Sequence, residues 1–186
     1  AQVTSNKNEI LNETFAVRNS KNGTIEITGS SISSSYYGIK NISGEIILNS
    51  TTINSTTTSS SVPCAYGIYN ESGIITLNDS SVTGYYSNGK NSAGTGILNL
   101  SGIININNTS VNANYISKIT GIYNTNGTIN IDSDKIISSI VNVSNTVNIT
   151  KGNILAITNS ADAILNMGTK DGIVNNDLIT ISENIT

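Results

Sequence analysis

The sequence predicts an all-β chain wound as a parallel β-helix, a β-solenoid of about seven coils. Three observations carry that expectation. First, Asn, Ser and Thr number 30, 27 and 22 of 186 residues while Ile alone numbers 32, so the chain is small-polar and β-branched at once. Second, a pentapeptide with apolar residues at its third and fifth positions recurs along the chain. Third, a short block ending in Asn precedes each copy. Residues of this kind suit a pleated, half-buried surface.

The pentapeptides begin at Gly23, Gly44, Gly73, Gly102 and Gly127 and continue from Asn145 and Gly172. Two residues on lie Ile25, Ile46, Ile75, Ile104, Ile129, Val147 and Val174. Four on lie Ile27, Leu48, Leu77, Ile106, Ile131, Ile149 and Asn176, and nine on lie Ile32, Ile53, Val82, Val111, Ile136, Ile154 and Ile181. Alternation with a period of two puts the +2 and +4 residues on one buried strand face. The origin Gly or Asn tolerates positive φ and marks a turn. Such a unit cannot bury its own apolar face, so equal units stack, Ile46 on Ile75 on Ile104 on Ile129.

The preceding block reads small, β-branched, variable, Asn, as in Gly67-Ile68-Tyr69-Asn70. Its Asn residues, Asn41, Asn70, Asn99 and Asn124 among them, are expected to stack their amides between coils. The small position (Ala16, Gly38, Gly67, Gly96, Gly121, Ser139, Ala163) marks a tight bend. The +7 column (Ser30, Thr51, Ser80, Thr109, then Asp134) reads as a hydroxyl ladder at a corner over its first four members.

Residues 1–14 are expected to form a degenerate N-terminal coil or cap, and residues 15–186 the repeat domain. The elastic part of the repeat follows the +9 residue, giving insertions near 55–65, 84–95 and 112–120. Insertions at one phase of a solenoid protrude from one edge and often bind. The ends lack a polar cap, so the chain is expected to belong to something longer or to pair end to end with other molecules.

Composition excludes several functions. Nine Lys and Arg against twelve Asp and Glu leave a net charge of −3, so no nucleic-acid partner is expected. No run of 18 apolar residues exists, so no transmembrane segment is expected. The chain has no His and a single Cys, Cys64. That leaves no internal disulfide and no Cys- or His-ligated metal, and neither a metal nor a cofactor is expected. Catalysis by a Ser-His or Cys-His pair is excluded with it.

Stretches such as Tyr66-Gly67-Ile68-Tyr69-Asn70-Glu71-Ser72-Gly73-Ile74-Ile75-Thr76-Leu77 and Thr120-Gly121-Ile122-Tyr123-Asn124 with the following Thr125–Ile131 resemble the passenger repeats of bacterial autotransporter adhesins and related right-handed β-helix surface proteins. The resemblance covers about residues 15–181. It implies a secreted, extracellular, surface-displayed adhesin or stalk segment with no enzymatic activity, binding a host-cell glycan or protein. Two alternatives stand beside it. One is a subunit of an extracellular filament stacking head to tail. The other is a polysaccharide-binding or polysaccharide-cleaving β-helix such as a phage tailspike.

Tyrosines are the binding candidates, because each joins a flat apolar face to a hydroxyl. Tyr85, Tyr86 and Tyr115 fall on the expected insertions, and Tyr66 and Tyr69 flank the Gly-Ile-x-Asn block. The plainer alternative is that they cover strand surface. Asp132, Asp134 and Asp79 are near one another in repeat phase, as a Ca²⁺ site or an acid–base pair would require, or they are solvated turn carboxylates. Triplets such as Asn41-Ile42-Ser43 and Asn70-Glu71-Ser72 match glycosylation acceptors, although these same Asn residues are expected to stack inside. Cys64 is a candidate for an intermolecular disulfide or a spectator thiol. The outward +3 column (Glu26, Ile47, Thr76, Asn105, Asn130, Asn148, Asn175) is no regular Thr ladder, which argues against ice binding.

Overall fold

Alternating Ile, Val and Leu bury one face of each short strand, and the chain closes that face by stacking coil on coil. The structure is a computed structural model and describes residues 2–5, 15–58, 64–86, 94–114, 120–160, 162–168, 173–175 and 179–181. Strand β1 (Gln2–Ser5) comes first. Four coils of three strands follow. They are β2 (Phe15–Asn19), β3 (Thr24–Thr28) and β4 (Ser31–Ser34); β5 (Tyr37–Asn41), β6 (Glu45–Asn49) and β7 (Thr52–Thr57); β8 (Tyr66–Asn70), β9 (Ile74–Asn78) and β10 (Ser81–Tyr86); and β11 (Thr95–Asn99), β12 (Ile103–Asn107) and β13 (Ser110–Asn114). Then come β14 (Thr120–Asn124), β15 (Thr128–Ile137), β16 (Ile140–Asn142), β17 (Asn145–Ile154), β18 (Ile157–Asn159), β19 (Ala163–Met167), β20 (Ile173–Asn175) and β21 (Ile179–Ile181).

The chain is a parallel β-solenoid. One sheet stacks eight strands in the order β2-β5-β8-β11-β14-β16-β18-β21. The other holds thirteen strands, because the stack β3-β6-β9-β12 and the stack β1-β4-β7-β10-β13 both run into β15. Pairing is parallel and in phase: Ile75 faces Ile46 and Ile104, and Ile104 faces Ile129. Ile46, Ile75, Ile104 and Ile129 are all fully buried. Burying each such side chain is worth roughly 1.5–3 kcal/mol.

Each of the first four coils turns a corner between its second and third strands. The +6 residue there adopts left-handed φ: Gly29 (58°), Ser50 (48°), Asp79 (48°) and Asn108 (43°). The next residue buries its hydroxyl, as expected. Thr51 Oγ1 donates to Asn49 O at 3.0 Å, Ser80 Oγ to Asn78 O at 2.8 Å and Thr109 Oγ1 to Asn107 O at 2.9 Å. Two of these oxygens also accept from the neighbouring coil: Thr51 N donates to Ser80 Oγ at 3.1 Å, and Ser80 N to Thr109 Oγ1 at 3.0 Å.

The expectation of about seven like coils is corrected here, since the regular three-strand coil recurs four times. Beyond it, among the described residues, no left-handed residue breaks the chain at the corner, and the second and third strands fuse into the ten-residue strands β15 and β17. The register slips by a bulge between Ile131 and Asp132 and again between Ser133 and Ile136. Ser133, not Asp134, takes the hydroxyl position and donates to Thr109 O at 2.9 Å. Ile137, not Ile136, is the buried residue and faces Val111, while Ile136 is 49% exposed. The final coil is shorter than the spacing suggested. Asn142 faces Asn159 and Val147 faces Leu165, so Ala163 stands where a Gly or Asn begins the other pentapeptides. Val174 faces Asn153 and Ile181 faces Asn159, outside the columns expected for them.

The Asn ladder is continuous from Asn41 to Asn159. Nδ2 of Asn41, Asn70, Asn99, Asn124 and Asn142 each donates to Oδ1 of the next Asn at 2.8–2.9 Å. All six side chains are fully buried. The glycine bend is as tight as expected: a Cβ on Gly67 would lie 2.5 Å from Val82 Cγ1 and 2.7 Å from Gly96 O. Among the described residues, no helix is long and apolar enough to cross a membrane.

Candidate binding surface

The eight-stranded sheet carries its aromatic residues in two columns. Register places Phe15, Tyr37, Tyr66, Thr95 and Thr120 in one, and Arg18, Lys40, Tyr69, Leu98 and Tyr123 in the other. The first coils of these columns form a cluster. Tyr37 and Tyr66 stack with centroids 5.5 Å apart, and Tyr69 meets both edge-on at 5.0 and 5.9 Å. Tyr36 joins at 4.0 Å from Tyr37. Pairs of this geometry contribute roughly 0.5–1.5 kcal/mol beyond their area. Lys40 lies between Tyr37 and Tyr69, its Nζ 5.2 and 5.3 Å from the two ring centroids, and is only 5% exposed. Arg18 covers Phe15 in the same manner at 5.5 Å. Tyr66 and Tyr69 remain half-buried, while Tyr37 is only 5% exposed.

Cys64 borders this cluster. Its Sγ lies 3.8 Å from Thr95 Oγ1 and donates to Ala65 O at 3.7 Å. Burial pushes the thiol pKa up, against weaker lowering by Thr95 and Tyr66. Burial likewise pushes the Tyr66 phenol well above its ordinary value, and the neighbouring Cys64 adds to the shift. A thiol held protonated is a poor nucleophile.

The other candidates are dispersed. Tyr85 and Tyr86 do not ride on a loop: β10 runs through both, facing Thr56 and Thr57. Alternation turns Tyr86 inward, where it is 5% exposed, and leaves Tyr85 half-buried on the outer side. Tyr115 lies outside the described residues. Asp134 pairs with exposed Lys151 instead of facing Asp132, and Asp79 Oδ1 accepts from Asn108 Nδ2 at 2.6 Å. Among the described residues no three acidic, Cys or His side chains gather as a metal site would need. Asn41, Asn70 and Asn99 are fully buried, so none offers its amide for glycosylation in the folded chain.

No protein-family model, curated protein or solved structure matches the chain.

Two features of that surface escaped the sequence reading. Lys40 occupies the variable position of the Gly-Ile-x-Asn block, the same column as Tyr69, and aligning the repeats was the signal that placed it there. The outer face of β6, β9, β12, β15, β17 and β19 also carries ordered amides. Asn105 Nδ2 donates to Thr76 Oγ1 at 3.2 Å, Asn130 to Asn105 Oδ1 at 2.8 Å, Asn148 to Asn130 Oδ1 at 2.8 Å and Asn166 to Asn148 Oδ1 at 2.7 Å. The +3 column thus ends at Asn166, not at Asn175.

Proposed function

We propose that this chain is a non-enzymatic segment of a bacterial cell-surface adhesin or stalk, a right-handed β-helix held outside the cell. Its aromatic patch around Tyr66 and Tyr69 contacts a host-cell glycan or protein. The observation that carries this reading is the patch itself: four tyrosine rings with centroids 4.0–5.9 Å apart, set on a sheet face whose strands are locked by continuous parallel pairing. Rings fixed this way lose little freedom on meeting a partner, and Tyr is among the residue types enriched at the energetic centre of such contacts. The buried Asn chain and the Ile columns stiffen the support, as a stalk requires.

The test is binding of the labelled protein to epithelial cells, before and after removal of surface glycans by glycosidases. Tyr69→Ser should reduce binding at least several-fold while the thermal melt stays cooperative. Loss on glycosidase treatment would assign the partner to glycan, and persistence to protein. Wild-type protein that binds no cells, or Tyr69→Ser binding as wild type, would overturn the reading.

A further inference from the structure

We propose a second binding site, on the outer face of the stack β6-β9-β12 and the strands that continue it, for a neutral polysaccharide chain lying along the solenoid axis. It does not depend on the adhesin reading and uses none of the aromatic patch.

The site is built from two parallel rows of amides. One row is Thr76, Asn105, Asn130, Asn148 and Asn166, joined by the donations described above. The other, two residues further along each strand, holds Asn49, Asn78 and Asn107, with Asn78 Nδ2 donating to Asn49 Oδ1 at 2.8 Å and Asn107 Nδ2 to Asn78 Oδ1 at 2.9 Å. Every donation runs toward the preceding coil, so all the amides point the same way. A shallow groove of about 210 Å³ spans the two rows, lined by Thr76, Asn105, Asn107, Asn130, Asp132 and Thr150.

The chemistry follows from counting groups. An Asn amide has two N–H donors and two acceptor lone pairs. The ladder uses one of each at Asn105, Asn130 and Asn148, which leaves one donor and one acceptor on each of these half-buried amides of the outer face. A pair of adjacent sugar hydroxyls offers the matching acceptor and donor. Because each amide is already fixed by its neighbours, ordering it on binding costs little. Coils rise by roughly 4.8 Å, comparable to one ring of an extended glycan, so consecutive sugars meet consecutive amides. Among the described residues no Lys or Arg lines the groove and Asp132 is its one charged residue, which favours a neutral chain over a sulfated or uronic one. Ile74 and Ile103 face each other in adjacent coils beside the Asn row. They are 37% and 38% exposed, an apolar strip for the C–H face of a sugar ring.

Affinity electrophoresis and calorimetry with soluble glucomannan, xyloglucan and dextran, and with heparin as the polyanion, test this. At least one neutral polymer should retard the protein, and heparin should not. The double variant Asn105→Ala/Asn130→Ala should weaken that binding by about ten-fold or more. Asn105→Thr/Asn130→Thr, which keeps strand propensity but removes the amide donors, should show the same loss and serves if the alanine pair unfolds. Absence of binding to all three neutral polymers, retention of binding by the folded double variants, or preference for heparin would each overturn the proposal. None of those results bears on cell binding through Tyr69, so the two readings fail separately.

Discussion

Asn99 donates from Nδ2 to Oδ1 of Asn124 at 2.9 Å, with both side chains fully buried, in the middle of a six-residue amide chain. Its Oδ1 in turn accepts from Asn70 at 2.9 Å. Asn99→Ala therefore orphans the Asn70 donor and weakens the satisfaction of Asn124, and each buried polar group left unsatisfied costs about 1–3 kcal/mol. The end of the chain differs. Asn19 sits four residues before Gly23, not three, and its Nδ2 donates to Gly23 O and Glu45 O at 3.0 and 3.3 Å. Asn41 Oδ1 is consequently buried with no hydrogen-bond partner. Asn41→Ala removes that orphan as it creates another at Asn70 Oδ1. Urea unfolding should rank Asn99→Ala as clearly more destabilising than Asn41→Ala, and equal losses would mean the amide chain is not energetically continuous.

Neighbouring residues Ile103 and Ile104 give a register test. Ile104 is fully buried between Ile75 and Ile129, while Ile103 is 38% exposed on the outer face. Ile104→Ala should cost about 2–5 kcal/mol. Ile104→Asp places an unpaired charge in the Ile column and should prevent cooperative folding. Ile103→Asp should change stability by about 0.5 kcal/mol or less. Circular dichroism melts of the three variants suffice, and a folded Ile104→Asp would reverse the assignment of faces.

The corner hydroxyls predict a finer discrimination. Thr109 Oγ1 accepts from Ser80 N at 3.0 Å and donates to Asn107 O at 2.9 Å. Thr109→Val keeps the shape and removes both bonds, so the buried Ser80 N–H loses this acceptor, at a cost of about 1–3 kcal/mol. Thr109→Ser should cost far less, because Ser30 and Ser80 fill the same column in other coils. Equal stability of the Val and Ser variants in denaturant titrations would show the ladder to be incidental.

These tests concentrate on the first four coils because their order was readable in the letters. There, glycine origins, alternating apolar residues and a hydroxyl corner recur at the same spacing, and each constraint supports the others. The later coils hide their phase. Asn145 takes the left-handed turn (φ 68°) in place of glycine, Ala163 replaces it in the next coil, and the fused strands absorb extra residues as bulges. A register slip of one residue exchanges the two faces of a strand, which is how Ile136 and Ile137 came to be exchanged. The site was less legible. Tyr86 turns inward because β10 continues past the position where a loop was expected. The outer amides were visible only as a mixed column, since the direction of each donation depends on which coil lies beneath.

The pH dependence of stability should isolate Tyr66. Burial, and then the adjacent Cys64, raise its phenol pKa in the fold. The unfolded chain releases that proton near pH 10, as an ordinary tyrosine does. Between the unfolded and folded values the native state holds the extra proton, so stability falls as pH rises. The same sign applies to Cys64, whose raised thiol pKa starts the loss near the ordinary cysteine value of about 8.5. Below both values the contribution is constant. Melting temperatures from pH 8 to 11 should decline along the whole range in the wild type. Cys64→Ala should delay the onset toward pH 10, and Tyr66→Phe should flatten the upper part of the curve. A Tyr66→Phe profile parallel to the wild type would mean that the Tyr66 proton is not linked to folding.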